Sequence, residues 1–250
     1  MARQKSIIKL EGTIGDISFY KSKDGYIARE KTSISPERIA NDPAFARTRE
    51  NGAEFGRAGK ASKLIRTAFQ PLLTTTKDAR MVSRLTTLLV KVLQSDITNK
   101  RGLRTVQDGD LELLNNFDFN IEGKLSTILY APFVSTVDRT TGELQISVPP
   151  FIPSDSVLAP SGATHFKILT GGAEIDFENS ISIKDVQSSP IMPWDETATV
   201  QADYTSVVTP NTTLPLFQVL GVEFYQEVNG FMYPLKTGAS NAMCIVSVDA

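Results

Sequence analysis

The sequence has very few of the side chains that carry catalysis, metal binding or cross-links. It contains one cysteine, Cys244, and one histidine, His165, in 250 residues. A single cysteine excludes an intrachain disulfide, and with it the disulfide-stapled class of secreted scaffolds. No cysteine–histidine cluster has the spacing of zinc ligands. Both residues stand in strand-like runs, which favours structural roles over a catalytic dyad.

Long hydrophobic runs are also missing. No stretch approaches the ~18 apolar residues that cross a bilayer. The basic start of the chain is not followed by the apolar segment of a signal peptide. We therefore expect that the protein does not span a membrane and that it is synthesised and folded in a cytoplasm. If it leaves the cell, we expect release by lysis or by a dedicated export machinery.

Recognisable catalytic motifs are absent as well. The segment 56–62, GRAGKAS, superficially resembles a phosphate loop, but its spacing to the first glycine is wrong and Ala61 separates Lys60 from Ser62. No Gly-x-Ser-x-Gly elbow occurs. The sequence therefore predicts a protein that is not an enzyme, with no catalytic residue, no metal and no cofactor.

The charged residues are distributed unevenly, with a basic first part of the chain and an acidic second part. Residues 1–107 hold 21 Lys/Arg against 10 Asp/Glu, a net of +11, and residues 108–250 hold 5 against 18, a net of −13. Such asymmetry concerns partners rather than fold. Either the basic half binds an external anion, or it binds the acidic half of the next copy.

The basic half, residues 1–107, is predicted to form a β-hairpin and a helical hairpin. Asp24-Gly25 between two aromatic and β-branched runs predicts a type I′ turn in a hairpin over 17–31. Asp42 and Pro43 are typical of a helix start, which predicts a helix over 43–69 that ends at Pro71. A second helix over 78–95, with Asp78 as its cap, and a short one near 110–114 follow.

Periodicity predicts which helix faces are buried. The first helix would bury Phe55, Ala58, Ser62, Ile65 and Phe69, and the second Val82, Leu85, Leu89 and Val92. Gly52, Gly56 and Gly59 each cost about 1 kcal/mol relative to alanine in a helix interior. Three glycines in eight residues indicate either a broken helix or a close approach by another backbone, and we favour the close approach.

The acidic half, residues 108–250, is predicted to be a β-sandwich. Many short strands separated by turn residues, including Gly171-Gly172 and Asn229-Gly230, favour an antiparallel, Ig-like sandwich. The strands are expected at 117–121, 126–130, 133–138, 143–148, 164–169, 173–177, 181–186, 198–204, 217–227, 231–235 and 242–248.

Three groups of residues are candidates for an assembly interface. The hairpin contributes Phe19, Tyr20 and Tyr26; the first helix contributes Arg47, Arg49, Gly56, Arg57, Gly59, Lys60 and Lys63; and a predicted strand contributes Glu174, Asp176 and Glu178. The basic helix has two further interpretations, a nucleic-acid surface and a solvated face. Strand alternation puts the three acidic residues on one face, which is consistent with a solvated face, a docking stripe or a calcium site.

Two segments of the basic half carry a resemblance. ISFYKSKDGYIAREK at 17–31, followed by DPAFARTREN at 42–51 and EFGRA at 54–58, resembles uncharacterised proteins of Bacteroidota and their phages. Those proteins open with a Lys-Gly or Asp-Gly hairpin, continue with an Arg-rich helix and close with a β-rich half. The resemblance implies a phage-like structural or self-assembling role and supplies no catalytic residues.

The sequence thus predicts an α+β fold with a basic domain at 1–107 and an acidic domain at 108–250. The expected function is a structural self-assembling subunit of a capsid, tail, ring or filament, joined by basic-to-acidic contacts between copies and located in a virion or another particle. The alternative is a binding module that uses the basic half for nucleic acid or the sandwich for a receptor or glycan.

Overall fold

The structure, a computed structural model, describes residues 2–30, 34–235 and 240–250. The chain divides into two compact units, residues 1–49 and 50–250. The predicted boundary between residues 107 and 108 lies inside the second unit. Residues on both sides of that boundary, from Ala58 to Ile245, belong to one hydrophobic core.

The first unit is a small antiparallel sheet followed by a short helix. Within residues 2–30, strands β1 (Ala2–Arg3), β2 (Gly12–Ile14), β3 (Ile17–Ser22) and β4 (Gly25–Glu30) pair in the order β1-β4-β3-β2. Helix α1 (Pro36–Asn41) and a 3-10 helix (Pro43–Phe45) follow. The predicted hairpin is therefore present as β3–β4, and its expected last residue, Lys31, lies outside the described residues.

The predicted type I′ turn of this hairpin is wrong. Ser22 pairs with Gly25, so the two-residue loop is Lys23-Asp24 and not Asp24-Gly25. Gly25 has a φ of 108°, whereas Asp24 is not among the described residues with positive φ. A type I′ turn needs positive φ at both central residues.

Helix α2 (Ala46–Ala68) begins in the last residues of the first unit and continues into the second, where α3 (Gln70–Thr76) and α4 (Met81–Gln94) follow. The Asp42 carboxylate accepts the Ala44 N–H at 2.9 Å, so Asp42 caps this region as predicted. Pro71 does not end the helical region, because it lies in the first turn of α3. Arg80 rather than Asp78 is the residue that precedes α4.

Most of the predicted apolar helix positions are buried, with two exceptions. Phe55 is 62% exposed and Val82 is 44% exposed. Glu54 and Met81, each one residue earlier in the chain, are buried instead. Each of the two predicted buried helix faces is therefore wrong at its first residue.

A 3-10 helix (Leu111–Leu114), capped by Asp110, forms where a short helix was predicted and leads to short helices α5 (Leu125–Ile128) and α6 (Pro153–Ser156). Strands β5 (Val134–Asp138), β6 (Glu143–Val148) and β10 (Ala202–Val207) form an antiparallel three-stranded sheet in the order β10-β6-β5. The predicted strand at 126–130 is wrong because α5 occupies its first three residues. Only isolated bridges occur in these two predicted strands, at Leu129 and, within 117–121, at Asp118.

The larger sheet is built around one long antiparallel pair, β7 (His165–Asp176) and β11 (Leu216–Val228). Among the described residues, β8 (Ile181–Ser188) and β9 (Met192–Pro193) pair with the free edge of β7, and β12 (Phe231–Pro234) and β13 (Ala242–Asp249) pair with that of β11. Asn229 and Gly230, with φ of 52° and 81°, form the predicted turn between β11 and β12.

The central strands are buried on both faces. Leu169, Val219 and Ile245 pack with the helices, whereas Ile168, Leu220 and Cys244 pack with Ile146 of the small sheet. The predicted turn at Gly171-Gly172 is wrong because both glycines lie within β7. A Cβ at Gly172 would lie 2.7 Å from the Ser206 Cβ, so a glycine is required where the small sheet approaches.

The predicted α+β class is confirmed, since helices accompany several antiparallel sheets. The Ig-like topology of the sandwich is not confirmed and stays a prediction. No helix of the described residues combines the length and apolar character needed to cross a membrane.

Candidate assembly interface

The strand register of the first unit sorts its side chains into two unlike faces. Ile14 pairs with Ile17, and Phe19 pairs with both Gly12 and Ala28, so these residues share one largely apolar face, which also carries Lys21 and Glu30. Tyr26 lies on the same face as Phe19. Tyr20 lies on the opposite face, where the Arg29 guanidinium stands 5.7 Å from the centre of its ring.

The apolar face of this sheet, here called the N-terminal face (Ile14, Ile17, Phe19, Tyr26 and Ala28), is not buried. None of the described residues of the first unit, 2–30 and 34–49, is buried. Ile14 is 63% exposed and Ile17 is 45% exposed. A small sheet needs a covered apolar face for independent stability, so this unit lacks a core of its own.

Arg47 and Arg49 have different environments. The Arg49 guanidinium donates to the carbonyl oxygens of Ile39 and Asp42 at 2.8 and 3.0 Å, so it fastens helix α1 within the first unit. Arg47 is exposed. Arg47 is therefore the more accessible of the two side chains.

The glycines of α2 lie on an open face. No atom lies within 4 Å of a Cβ built at Gly52, Gly56 or Gly59, and the helix runs through them without a break. The prediction that another backbone approaches these glycines closely is therefore wrong for the described chain. An approach by a second copy stays a prediction, and the exposed Phe55 lies beside these glycines in the sequence.

Three of the predicted charged residues meet at one cavity. Arg57 and Lys60 of α2 and Glu178 of the β7–β8 turn line a cavity of about 520 Å³ together with Asn99 and Asp108. The basic helix and the acidic residues thus partly face each other within a single chain. Lys63 is not part of this cavity and lies one turn further along α2.

Arg57 serves the fold rather than a free surface. Its guanidinium donates to the carbonyl oxygens of Arg104 and Gly102, and the Glu54 carboxylate accepts the Gly102 N–H at 2.8 Å. These bonds hold the loop that follows α4 against α2. We infer that Lys60, which is exposed, is the freer cation at this cavity.

The same loop is organised by Asp96, which is 1% exposed. Its carboxylate accepts the N–H groups of Thr98, Asn99 and Thr105 at 2.8–2.9 Å. Burial by itself raises the pKa of Asp96, but the hydrogen bonds from Asn99 and Thr105 outweigh it and lower the pKa to about 2. The loop that lines the cavity is therefore fixed by a buried anion.

The predicted acidic stripe is not a solvated face. Glu174 is 5% exposed, and its carboxylate accepts the Thr209 N–H at 3.1 Å and the Thr212 hydroxyl at 3.0 Å. Asp176 accepts from the Asn179 backbone at 2.8 Å in the β7–β8 turn, which lowers its pKa. Only Glu178 is exposed. The stripe was wrong because β7 is covered by the small sheet on that face.

His165 and Cys244 do not meet. His165 pairs with Tyr225 of β11, whereas Cys244 pairs with Leu220. The two positions are five residues apart on β11, which corresponds to roughly 16 Å along a strand. Burial raises the pKa of the Cys244 thiol far above its usual range, so the thiolate is strongly disfavoured.

One polar cluster was missed by the sequence analysis. Lys167 and Glu223 pair across β7 and β11, with 3.1 Å between Nζ and Oε2, and the Tyr225 hydroxyl donates to the same Oε2 at 2.9 Å. They line a cavity of about 360 Å³ between α3 and the sheet. The sequence did contain one charged residue in each of two apolar segments, the lysine of HFKILT and the glutamate of GVEFY. Their pairing could not be predicted because it depends on the register between β7 and β11.

This cluster is electrostatically coupled. Burial by itself lowers the pKa of Lys167, but its contacts with Tyr225 and Glu223 outweigh this and raise the pKa. Burial raises the pKa of Tyr225. The raised pKa values keep Lys167 protonated and Tyr225 neutral at neutral pH, and both side chains contact the Glu223 carboxyl group.

Comparison with known proteins adds little. No protein-family model matches the chain, and no curated protein matches it. Among solved structures, the reeler domain of human F-spondin has 13% sequence identity and a TM-score of 0.17, over 50% of this chain and 97% of that one. Similarity at this level supports no argument about fold or function.

Proposed function

We propose that the protein is a structural subunit that assembles with further copies of itself through its N-terminal unit. The observation that carries this proposal is the first unit's lack of any buried side chain among its described residues. A sheet with one apolar face gains stability when that face is covered. A second copy supplies such a cover at every interface of a repeating assembly.

Charge supports a head-to-tail arrangement of copies. Residues 1–49 contain 10 Lys/Arg and 6 Asp/Glu, a net of +4, and residues 50–250 contain 16 and 22, a net of −6. The first unit of one copy is thus attracted to the second unit of the next. Heterologous contacts of this kind produce rings or open filaments, as expected of a capsid, tail or filament protein.

A pair of variants on one strand tests the proposal. Ile17 lies on the N-terminal face and Ser18 on the opposite face, so Ile17→Lys and Ser18→Lys add the same charge at adjacent positions. Sedimentation velocity should show oligomers for the wild type and Ser18→Lys, and monomers for Ile17→Lys. Circular dichroism spectra and thermal melts establish that each variant is folded.

Two outcomes would overturn the proposal. One is a wild type that remains monomeric at high protein concentration and low salt. The other is an equal effect of the two lysines on oligomer size, because a contact through the N-terminal face must distinguish them.

A further inference from the structure

The helical layer contains a second, distinct feature: a cavity lined by three cations. Lys63 and Arg66 of α2, Lys77 after α3, and Asp78 line a cavity of about 440 Å³ within the second unit. Lys63, Arg66 and Gln70 are spaced by three and four residues, so they lie on one side of the helical segment. The volume is that of a small-ligand site.

The one carboxylate at this cavity is already engaged. Asp78 forms an ion pair with Arg84 and accepts the N–H of Ile121 at 3.0 Å. Burial by itself raises the pKa of Asp78, but the bonds from Ile121 and Arg84 outweigh it and lower the pKa. The carboxylate therefore stays ionised, and its charge is compensated by Arg84 rather than by the cavity's cations.

The cations of the cavity are not compensated in the same way. The ammonium groups of Lys63 and Lys77 have no hydrogen-bond or ion-pair partner in the described chain. The Arg66 Nε donates to the Ser62 carbonyl at 3.2 Å, and its two terminal nitrogens form no hydrogen bond within the described chain. Three cations around one engaged carboxylate give the lining a net charge of +2.

We propose that this cavity binds a phosphate group. A phosphate monoester carries close to two negative charges at neutral pH and three strong acceptor oxygens, which matches the net charge of the lining. The planar Arg66 guanidinium offers paired donors suited to phosphate oxygens, and Lys63 and Lys77 of the same lining add two point charges. The phosphate belongs either to a small phosphorylated ligand or to a nucleic-acid backbone.

Two probes distinguish these sources. Orthophosphate is titrated by calorimetry against chloride at equal ionic strength, and a fluorescent dT20 strand is titrated by anisotropy, with and without orthophosphate as competitor. Binding of both probes with competition indicates a nucleic-acid backbone. Binding of orthophosphate without dT20 indicates a small phosphorylated ligand.

Matched double variants locate the site. Lys63→Gln with Lys77→Gln removes two cations of the cavity, whereas Lys100→Gln with Lys124→Gln removes two exposed lysines elsewhere. The cavity variant should bind about tenfold more weakly, and with dT20 the slope of log K against log salt should fall by about 1.4. The control should change affinity less than twofold.

The proposal is overturned if neither probe binds the wild type, or if both double variants weaken binding equally. Sedimentation velocity of the same samples records the oligomeric state. A failure of phosphate binding is thereby separated from a failure of assembly, since the cavity lies wholly within residues 63–82 of one chain.

Discussion

At the scale of single residues, the buried Asp96 carboxylate has the most definite consequence for stability. It satisfies several backbone N–H groups of the loop after α4. Asp96→Asn removes the charge and turns one acceptor oxygen into a donor, which leaves some of these N–H groups unpaired. We expect a loss of about 2 kcal/mol in the free energy of unfolding, measured by urea denaturation.

The Asp96 contribution should depend on pH in a defined window. Its pKa is about 2 in the folded protein, below the usual value of 3.8. Stability from a depressed carboxylate pKa is fully present above the unfolded value and is lost as pH falls through the folded value. The difference between wild type and Asp96→Asn should therefore shrink between about pH 4 and pH 2.

Asp108 provides the control for both measurements. It accepts from Asn99 and Thr105 at 2.8 Å in the same loop, but it is exposed. Asp108→Asn should therefore cost clearly less than Asp96→Asn. An equal loss in the two variants would contradict the role given to the buried carboxylate.

At the scale of elements, the open face of α2 makes a prediction about Gly56. No atom lies within 4 Å of an added Cβ, so Gly56→Ala should raise the free energy of unfolding by up to ~1 kcal/mol through helix propensity. Gly172→Ala should do the opposite, because its Cβ would meet Ser206 at 2.7 Å. Thermal melts measure both.

The oligomeric state of the Gly56→Ala variant tests whether the open face of α2 contacts a second copy or is solvated. Loss of assembly in a variant with a raised melting temperature would indicate that a second copy packs closely against these glycines. Normal assembly would leave the face solvated. A lowered melting temperature for the dissociated chain would contradict the observed open space.

Local chemistry explains which elements could be predicted from the sequence. The cap at Asp42, the turn at Asn229-Gly230 and most strand positions depend on neighbouring residues, and the structure contains them. Gly171-Gly172 misled the prediction because a close approach by Ser206, 34 positions along the chain from Gly172, requires glycine there. Local sequence carries no information about such a contact.

The same distinction applies to the candidate site. Helical spacing predicted that Lys60 and Lys63 lie on the basic face. It could not distinguish them from Arg57, whose guanidinium is hydrogen-bonded to the carbonyls of Gly102 and Arg104. Alternation along β7 predicted one acidic face, but it could not reveal that the small sheet would bury Glu174. Burial on both faces removes the period-two signal from a strand.

At the scale of the whole molecule, charge sorting predicts a response to salt. The units carry +4 and −6, and raising salt from 0.1 to 1 M shortens the Debye length from ~10 to ~3 Å. If basic-to-acidic contacts join the copies, the oligomers seen by sizing chromatography at 0.1 M should dissociate by 1 M. A distribution unchanged by salt would assign the contacts to the apolar N-terminal face alone.

The double-sided burial of the β7–β11 pair also constrains how the chain matures during synthesis. Ile65 of α2 and Leu89 of α4 share one hydrophobic core with Met243 and Ile245 of β13, a strand that lies far later in the sequence. Until β13 is translated, the core around Ile65 and Leu89 is incomplete. We therefore expect the nascent chain to expose apolar helix surface while the intervening residues are translated, and such surface is prone to aggregation.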